Sequence, residues 1–403
     1  MPELPEVETV ARDLRRHLVP DDGPGPLIVG VRVAWPRTVR DGDPLAFAAA
    51  VTGRRVEGVG RRGKQLLVDL SGGVLLAIHL KMTGQLFVVP AGAPDDPYVR
   101  LTLALGDGRE LRFRDVRKFG RVGLFGRDVE TGQAVAGDGA AAFDAVGPEP
   151  LDPAFTLRAF RARLRSRRRR LKPLLTDQAF IAGVGNIYAD EALWAARVHP
   201  LRSAASLHPA GERRLYRALR SILGEAILRR GSSIDDYTAP DGDGAMQERL
   251  MVYQRAGEPC PRCGRPIRRI VLGGRSTHFC SWCQRLPAAD RPGATAVLAT
   301  ERTPRARGRR WTEAAAAGAL GLTSEEAARA AARERTERTR RAAATRRERA
   351  RAGSGAGPPV QVAGEAAAGP GSPSSTSAAG SGDPSSTGAT DPGGPSVTGP
   401  GDR

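Results

Sequence analysis

The chain is 403 residues long with a formal net charge of +18, long enough for two or three domains and basic enough to favour a polyanionic partner over an acidic or apolar one. No run of about 18 apolar residues occurs, which excludes a helical membrane span, and the start Met1-Pro2-Glu3-Leu4 lacks the basic and apolar pattern of a secretory leader, so a cytoplasmic protein is expected. Residues 1–286 carry +13 of the charge and 287–403 carry +5, so the excess is not a property of the tail alone. Nucleic acid is the leading partner class, with a solvated basic surface as the alternative. Lysine stands only at Lys64, Lys81, Lys118 and Lys172, while arginine supplies the other 58 of the 62 basic residues. Where lysine persists against such a drift, a compact ammonium is suggested.

In chain order, Val7, Val10, Leu14 and Leu18 fall at helical spacing, with Pro5 in the first turn where a missing N–H costs little; an amphipathic helix is predicted over residues 3–18. From Ile28 to about Phe125, β-rich runs such as 65–70, 74–78 and 99–103 alternate with turns such as Gly106-Asp107-Gly108, which predicts antiparallel sheets packed as a sandwich. A Gly/Ala/Asp stretch over 132–144 leads to Gly147-Pro148-Glu149-Pro150, where a domain boundary is placed. Residues 154–230 read as several helices, broken at Gly183-Val184-Gly185-Asn186 and at His199-Pro200. A polar loop over 232–244 and a cysteine-bearing module follow. Beyond it, 301–352 alternates Ala, Arg and Glu and could form a charged helix of net +8. Residues 353–403 are rich in Gly, Ser, Pro and Thr and are expected to be disordered, having little to bury.

Two constellations carry chemistry. Cys260-Pro-Arg-Cys263 and Cys280-Ser-Trp-Cys283 pair two thiolate arms, the donor set of a structural zinc; redox thiols are the weaker reading. Arg262, Arg265, Arg268, Arg269 and Arg275 surround this module, which reads either as a hairpin presenting guanidiniums to phosphate or as a purely structural knuckle. At the other end, removal of Met1 would leave Pro2 as a free secondary amine, partly neutral at physiological pH, able to attack a sugar carbon and form an iminium. Glu3 and Glu6 follow on the first turn, where paired carboxylates can shuttle protons or simply complement the helix dipole.

Pro2-Glu-Leu-Pro-Glu-Val-Glu-Thr9, Arg62-Gly-Lys64, His79-Leu-Lys-Met82-Thr-Gly, Asp115-Val-Arg117-Lys-Phe119-Gly, Gly147-Pro-Glu-Pro-Leu, Gly183-Val-Gly-Asn186-Ile-Tyr-Ala-Asp-Glu191 and the cysteine module occur in the order of the formamidopyrimidine-DNA glycosylase family, which the sequence resembles over residues 1 to about 286. The resemblance implies an α+β multidomain fold: an N-terminal antiparallel β-sandwich with flanking helices (1–135), a helix–two-turn–helix domain (150–245), a zinc-finger hairpin (250–286) and a low-complexity tail (287–403). It implies one structural zinc per chain held by Cys260, Cys263, Cys280 and Cys283. It further implies a monomer that acts in the nucleoid on double-stranded DNA containing oxidised bases or abasic sites. Activity would be that of a bifunctional glycosylase and lyase of base excision repair, removing oxidised purines and cutting the strand by β,δ-elimination.

By the same resemblance Pro2 is the nucleophile, Glu3 the acid/base that opens the sugar, Glu6 a supporting carboxylate, and Lys64 a further member of the catalytic set that also meets phosphate. Met82, Arg117 and Phe119 would fill the hole left by the extruded base, Arg117 pairing with the orphaned cytosine. Core packing is the competing reading for Met82 and Phe119. His79, Asn186 and Arg275 would contact phosphate, Lys172 would lie near the lesion pocket, and Glu191 belongs to the helix–two-turn–helix segment; all are expected at the DNA interface, with a structural role for His79 as the alternative. Gly183 and Gly185 suggest a turn that brings backbone N–H groups against phosphate.

Lys81 stands where relatives usually have Gly, Tyr98-Val99-Arg100 where many have a His-containing segment, and Ala245-Met246 where a Gly-aromatic pair is typical. These departures touch lesion preference more than chemistry. Leu4, in place of the Gly of the endonuclease VIII branch, favours purines over oxidised pyrimidines. A non-catalytic, zinc-dependent DNA-binding protein is the alternative from another class.

Overall fold

The computed structural model describes residues 1–40, 42–128, 130–136, 142–233 and 244–300. The chain divides into two units, 1–309 and 310–403, and all described residues lie in the first. The charged helix expected over 301–352, the disordered segment expected over 353–403 and most of the polar loop after Ser233 fall outside the described residues.

Helix α1 (Leu4–Leu18) opens with Pro5 in its first turn, and the Glu6 side chain reaches back to accept the Glu3 N–H at 2.8 Å. Val7, Val10, Leu14 and Leu18 are fully buried, as the spacing predicts. Strand β1 (Ile28–Val33) and α2 (Pro44–Val51) follow, then β2 (Val56–Arg62), β3 (Gln65–Leu70), β4 (Val74–His79), β5 (Gly84–Pro90), β6 (Val99–Leu105), β7 (Arg109–Asp115), β8 (Arg121–Arg127) and β9 (Ala134–Val135). They form two antiparallel sheets, ordered β1-β6-β7-β5 and β2-β3-β4-β8-β9. The sheets and α1 enclose one core, in which Val10 and Leu14 share a buried cluster with Leu66, Val68, Leu76 and Ile78 of one sheet and Leu101, Leu111 and Phe113 of the other. Near-continuous apolar runs in β3 and β4 have a second cause. Leu67, Leu75 and Ala77 face outward and are covered by Phe125, Ala134 and Phe143, so these strands are buried on both faces.

The helical part comprises α3 (Leu157–Arg165), α4 (Leu171–Leu175), α5 (Asn186–Ala195) and α6 (Pro209–Leu228), built around Phe160, Leu174, Tyr188, Leu193, Leu215 and Leu219. Thr156 and His208 cap α3 and α6 through their side chains. Strands β10 (Arg268–Leu272) and β11 (Arg275–Phe279) form a hairpin turned by Gly273-Gly274. Folded structure does not stop at 286, as composition suggested. Residues 287–300, including the one-turn α7 (Thr295–Leu298), pack Ala294, Val297 and Leu298 against Leu201, Ile270 and Phe279. Asp290 accepts from the Ser203 N–H at 3.1 Å and the Ser206 hydroxyl at 2.8 Å, and Arg170 donates to the Asp290 and Pro292 carbonyls. Three apolar side chains and one carboxylate suffice to fix a segment whose average composition looks like linker.

Candidate active site and nucleic-acid interface

The first turn of α1 is buried between the sandwich and the helical part. Glu3, 2% exposed, accepts from the N–H groups of Gly185 (2.7 Å), Ile187 (2.8 Å) and Tyr188 (3.4 Å), so its carboxylate sits on the N-terminus of α5. Burial pushes its pKa up, with the neighbouring Glu6 adding to that, against the opposing pull of Lys64 and of the Ile187 and Gly185 N–H groups. Glu6 accepts from the Tyr188 hydroxyl at 2.6 Å and from the N–H (2.8 Å) and hydroxyl (3.1 Å) of Ser232 at the end of the helical part. Lys64, from the β2–β3 turn, lies buried in the field of both carboxylates. Desolvation lowers its pKa, and Arg275 of the hairpin adds to that. Glu149 holds the Lys64 turn by accepting from Arg61 (2.7 Å), Arg62 (3.1 Å) and the Gly63 N–H (2.6 Å).

Two loops of the sandwich project outward. Met82, between β4 and β5, and Phe119, between β7 and β8, are 40% and 47% exposed, and the Arg117 guanidinium lies 5.1 Å over the Phe119 ring. Core packing is thereby excluded for both apolar side chains. The buried Asp115 ties the loops together: Oδ1 accepts from the Thr83 hydroxyl (2.5 Å) and the Arg117 N–H (3.2 Å), and Oδ2 from the Gly120 N–H (2.6 Å). His79 is half-buried; its Nδ1 accepts from the Lys81 N–H at 3.0 Å, and burial brings its pKa down to about 4, so the ring is neutral at pH 7.

The four cysteine sulfurs lie within 4.8 Å of one another, with Cys260–Cys283 at 4.0 Å and Cys263–Cys280 at 3.5 Å. A tetrahedral zinc–thiolate site with bonds of about 2.3 Å has sulfur edges of about 3.8 Å, so the residues present fit the ion. The Trp194 indole N–H donates to the Cys260 sulfur at 3.5 Å.

Three family models match in order: the formamidopyrimidine-DNA glycosylase N-terminal domain over 1–122, its H2TH domain over 146–238, and a zinc finger found in FPG and IleRS over 257–286. The formamidopyrimidine-DNA glycosylase of Chloroflexus aurantiacus is 49% identical over 287 residues, covering 70% of this chain and 98% of the relative. That of Herpetosiphon aurantiacus is 46% identical, covering 70% and 100%. The chain belongs to the formamidopyrimidine-DNA glycosylase family. Among solved structures, Lactococcus lactis Fpg bound to abasic-site DNA and the wild-type enzyme bound to N7-benzyl-Fapy-dG DNA are each 36% identical, with TM-scores of 0.63 and 0.64. They cover 70% and 71% of this chain and the whole of each solved chain. Among the described residues no helix is long and apolar enough to cross a membrane.

Within this family fold, the structure brings Pro2, Glu3, Glu6, Lys64, Asn186 and Arg275 to one region and sets Met82, Arg117 and Phe119 on exposed loops. Two expected interface residues are not at the surface. Lys172 is 2% exposed; it donates to Asp190 at 2.6 Å and to the Ser276 carbonyl at 3.0 Å, beneath the hairpin strand that carries Arg275. Glu191 is 3% exposed, accepting from the N–H groups of Met251 (2.8 Å), Val252 (2.9 Å) and Tyr253 (2.8 Å). Both make buried contacts to the hairpin module, and Lys172 lies in the field of Glu3 and Arg275 as well. The glycines have a further reason to be there: a Cβ on Gly185 would lie 2.3 Å from the Glu3 carboxyl carbon, and one on Gly183, at φ +77°, 2.6 Å from Leu4, so they admit the close approach of α1. Asn186, first in α5, keeps a buried Oδ1 without a protein partner. Asp115, Tyr188, Asp190, Ser232 and Glu149 complete the site, and none was singled out from sequence; all but Ser232 lie inside quoted motifs, which is the signal that could have found them.

Proposed function

We propose that the chain is a bifunctional DNA glycosylase and lyase that excises oxidised purines through the secondary amine of Pro2, exposed when Met1 is removed. The observation that carries this reading is the burial of Glu3 and Glu6, on the turn that begins at Pro2, together with Lys64 of the β2–β3 turn. Three ionisable groups placed together under desolvation are costly for stability alone and useful for moving protons. The Pro2 nitrogen attacks C1′ of the damaged nucleotide while the base departs with the glycosidic electron pair. The proton on the Pro2 nitrogen passes to the departing base, and the Glu3 carboxyl, whose pKa is raised by burial, protonates the sugar ring oxygen as the ring opens to the iminium. The iminium withdraws electrons from C1′, so the C2′ proton passes to the Glu3 carboxylate and the 3′ phosphate leaves; a second elimination expels the 5′ phosphate, leaving a one-nucleotide gap with phosphate ends. Glu6 holds the first turn by accepting the Glu3 N–H, and Lys64 and Asn186 offer contacts to the nucleotide.

Met82, Arg117 and Phe119 would enter the stack when the base is extruded. Exposed apolar side chains on loops tied by one buried carboxylate suit a wedge, because the wedge must be rigid while solvent-facing. One zinc per chain, held by the four cysteines, would fix the hairpin and so Arg275. The test is borohydride reduction of the iminium on lesion duplex. A covalent complex through Pro2 is expected, lost on blocking the Pro2 amine with an N-terminal tag while DNA binding persists. Trapping through a lysine in the tagged protein would refute the assignment. Defined-lesion duplexes then separate purine from pyrimidine preference.

A further inference from the structure

At the base of the β10–β11 hairpin, at the strand ends opposite the Arg275 turn, lies an open hollow of about 790 Å³. Arg197, Arg202, Arg268, Arg285 and Arg291 line it, and among the described residues no carboxylate does. Among the described residues Arg197, Arg202, Arg285 and Arg291 have no acidic partner. Arg202 instead donates to Ser206, and Arg285 lies 4.3 Å over the Trp282 ring, whose other contact is Arg265 at 3.6 Å. The nearest carboxylate of the segment, Asp290, is buried and already bonded to Ser203 and Ser206. Guanidiniums gathered without acids repel one another unless an anion is bound between them.

A second observation is independent of charge. Helix α5 ends in a turn where the Arg197 N–H donates to the Trp194 carbonyl and the Val198 N–H to the Leu193 carbonyl at 2.9 Å, with Arg197 at φ +58°. That position is usually glycine, because the left-handed conformation penalises a side chain. An arginine kept there at the expense of backbone strain, and exposed at the hollow, points to use of its charge. The outer wall comes from Pro287, Ala288, Arg291 and Leu298, beyond residue 286 where the zinc-finger match ends. The hollow is therefore built partly by a segment outside the family match.

We propose that this hollow binds the sugar–phosphate backbone of nucleic acid outside the lesion cleft. Planar forks suit phosphate oxygens, and an open hollow suits a polymer more than an enclosed small ligand. The proposal rests on the chain being a DNA-binding protein but not on its excising a base. The test uses the full chain with Arg197→Glu and Arg291→Glu together, neither of which belongs to the catalytic set, against two lesion duplexes: one just filling the cleft, one longer by several helical turns. Affinity for the short duplex and base excision on it should stay at the wild-type level. Affinity for the long duplex should fall at least about tenfold, and its log–log salt slope should drop by about two. Arg197→Gly is the second variant. It supplies the residue the turn prefers, so thermal stability is held or raised while long-duplex affinity falls, a combination that a structural role for Arg197 would not produce. Unchanged long-duplex binding in both variants, or equal weakening on both duplexes, overturns the proposal, the latter because it would show a general basic field. Failure of the wild-type protein to excise any base would count against the proposed function and leave the long-duplex comparison readable.

Discussion

Replacing Lys172 with Met separates an interface lysine from an internal one. The ammonium is bonded to Asp190 and to the Ser276 carbonyl, and the two side chains are 2% and 1% exposed. Without it, the Asp190 carboxylate stays buried with only the His278 N–H at 2.9 Å and its ring Nδ1 at 3.3 Å as partners. Removing one member of a buried pair costs about 3–5 kcal/mol, mostly because the other charge is stranded. Urea unfolding of Lys172→Met should show a loss of that size, with a smaller loss when Asp190→Asn is added, since the amide is uncharged and still accepts from His278. The hairpin strand next to Arg275 loses its anchor at the same time. Lesion-duplex dissociation should therefore speed up while excision at saturating protein is little changed. A Lys172→Met protein destabilised by less than about 1 kcal/mol, or a double variant as unstable as the single, would refute the buried-pair account.

Stripping zinc, or changing Cys280 to Ser, should weaken DNA binding without unfolding the sandwich, whose core is separate; metal analysis and denaturation followed by intrinsic fluorescence check both. Truncation after Thr300 removes the net +8 of residues 301–352 and should preserve single-turnover excision while lowering the salt slope of binding by up to about 7; an unchanged slope would deny the tail a DNA role. A cut after Arg285 is a different experiment, because it also deletes the docked residues 287–300 and should destabilise the hairpin. Acid should destabilise the protein through His79 and His199, whose folded pKa values both lie at about 4 against an ordinary 6.5. The unfolded chain takes up protons first, so their contribution is present above pH 6.5 and is lost as pH falls toward 4. Each accounts for at most about 2 kcal/mol between pH 7 and 5, and His79→Gln should remove its share from the measured pH–stability curve.

The parts of this molecule that were legible in sequence are those set by local periodicity or by chemistry at fixed spacing: α1, the alternating strands, and the paired cysteines. What escaped was set by partners far along the chain. Asp190 and Glu191 are adjacent in α5 and look like surface acids, yet one is spent on Lys172 and His278 and the other on three N–H groups at 251–253. Nothing local marks that difference. Lys172 was singled out by the family resemblance, and the rarity of lysine agreed with it, but neither a motif match nor rarity reports whether the ammonium faces solvent or, as here, Asp190. Residues 287–300 were passed over because linker composition is an average, whereas docking depends on a few positions such as Asp290 and Ala294.

Helix α1 belongs by packing to the sandwich, yet its polar contacts lead to the helical part. Glu3 receives the N-terminus of α5, Glu6 receives Tyr188 and Ser232, the Leu4 N–H donates to the Gly183 carbonyl at 3.0 Å, and Asp13 pairs with Arg230 at 2.7 Å. One face of the helix is thus fixed by apolar contacts to the sheets and the other by charged hydrogen bonds across the junction. Any rotation of one part against the other must stretch those bonds first, and they are the bonds that hold the turn carrying Pro2. The position of the proposed nucleophile is therefore set at the junction itself. The same reasoning explains why two carboxylates are buried within one turn of the chain. A single carboxylate could hold the α5 terminus, but only a second one, spent on Ser232 beyond α6, makes the first turn rigid to both ends of the helical part.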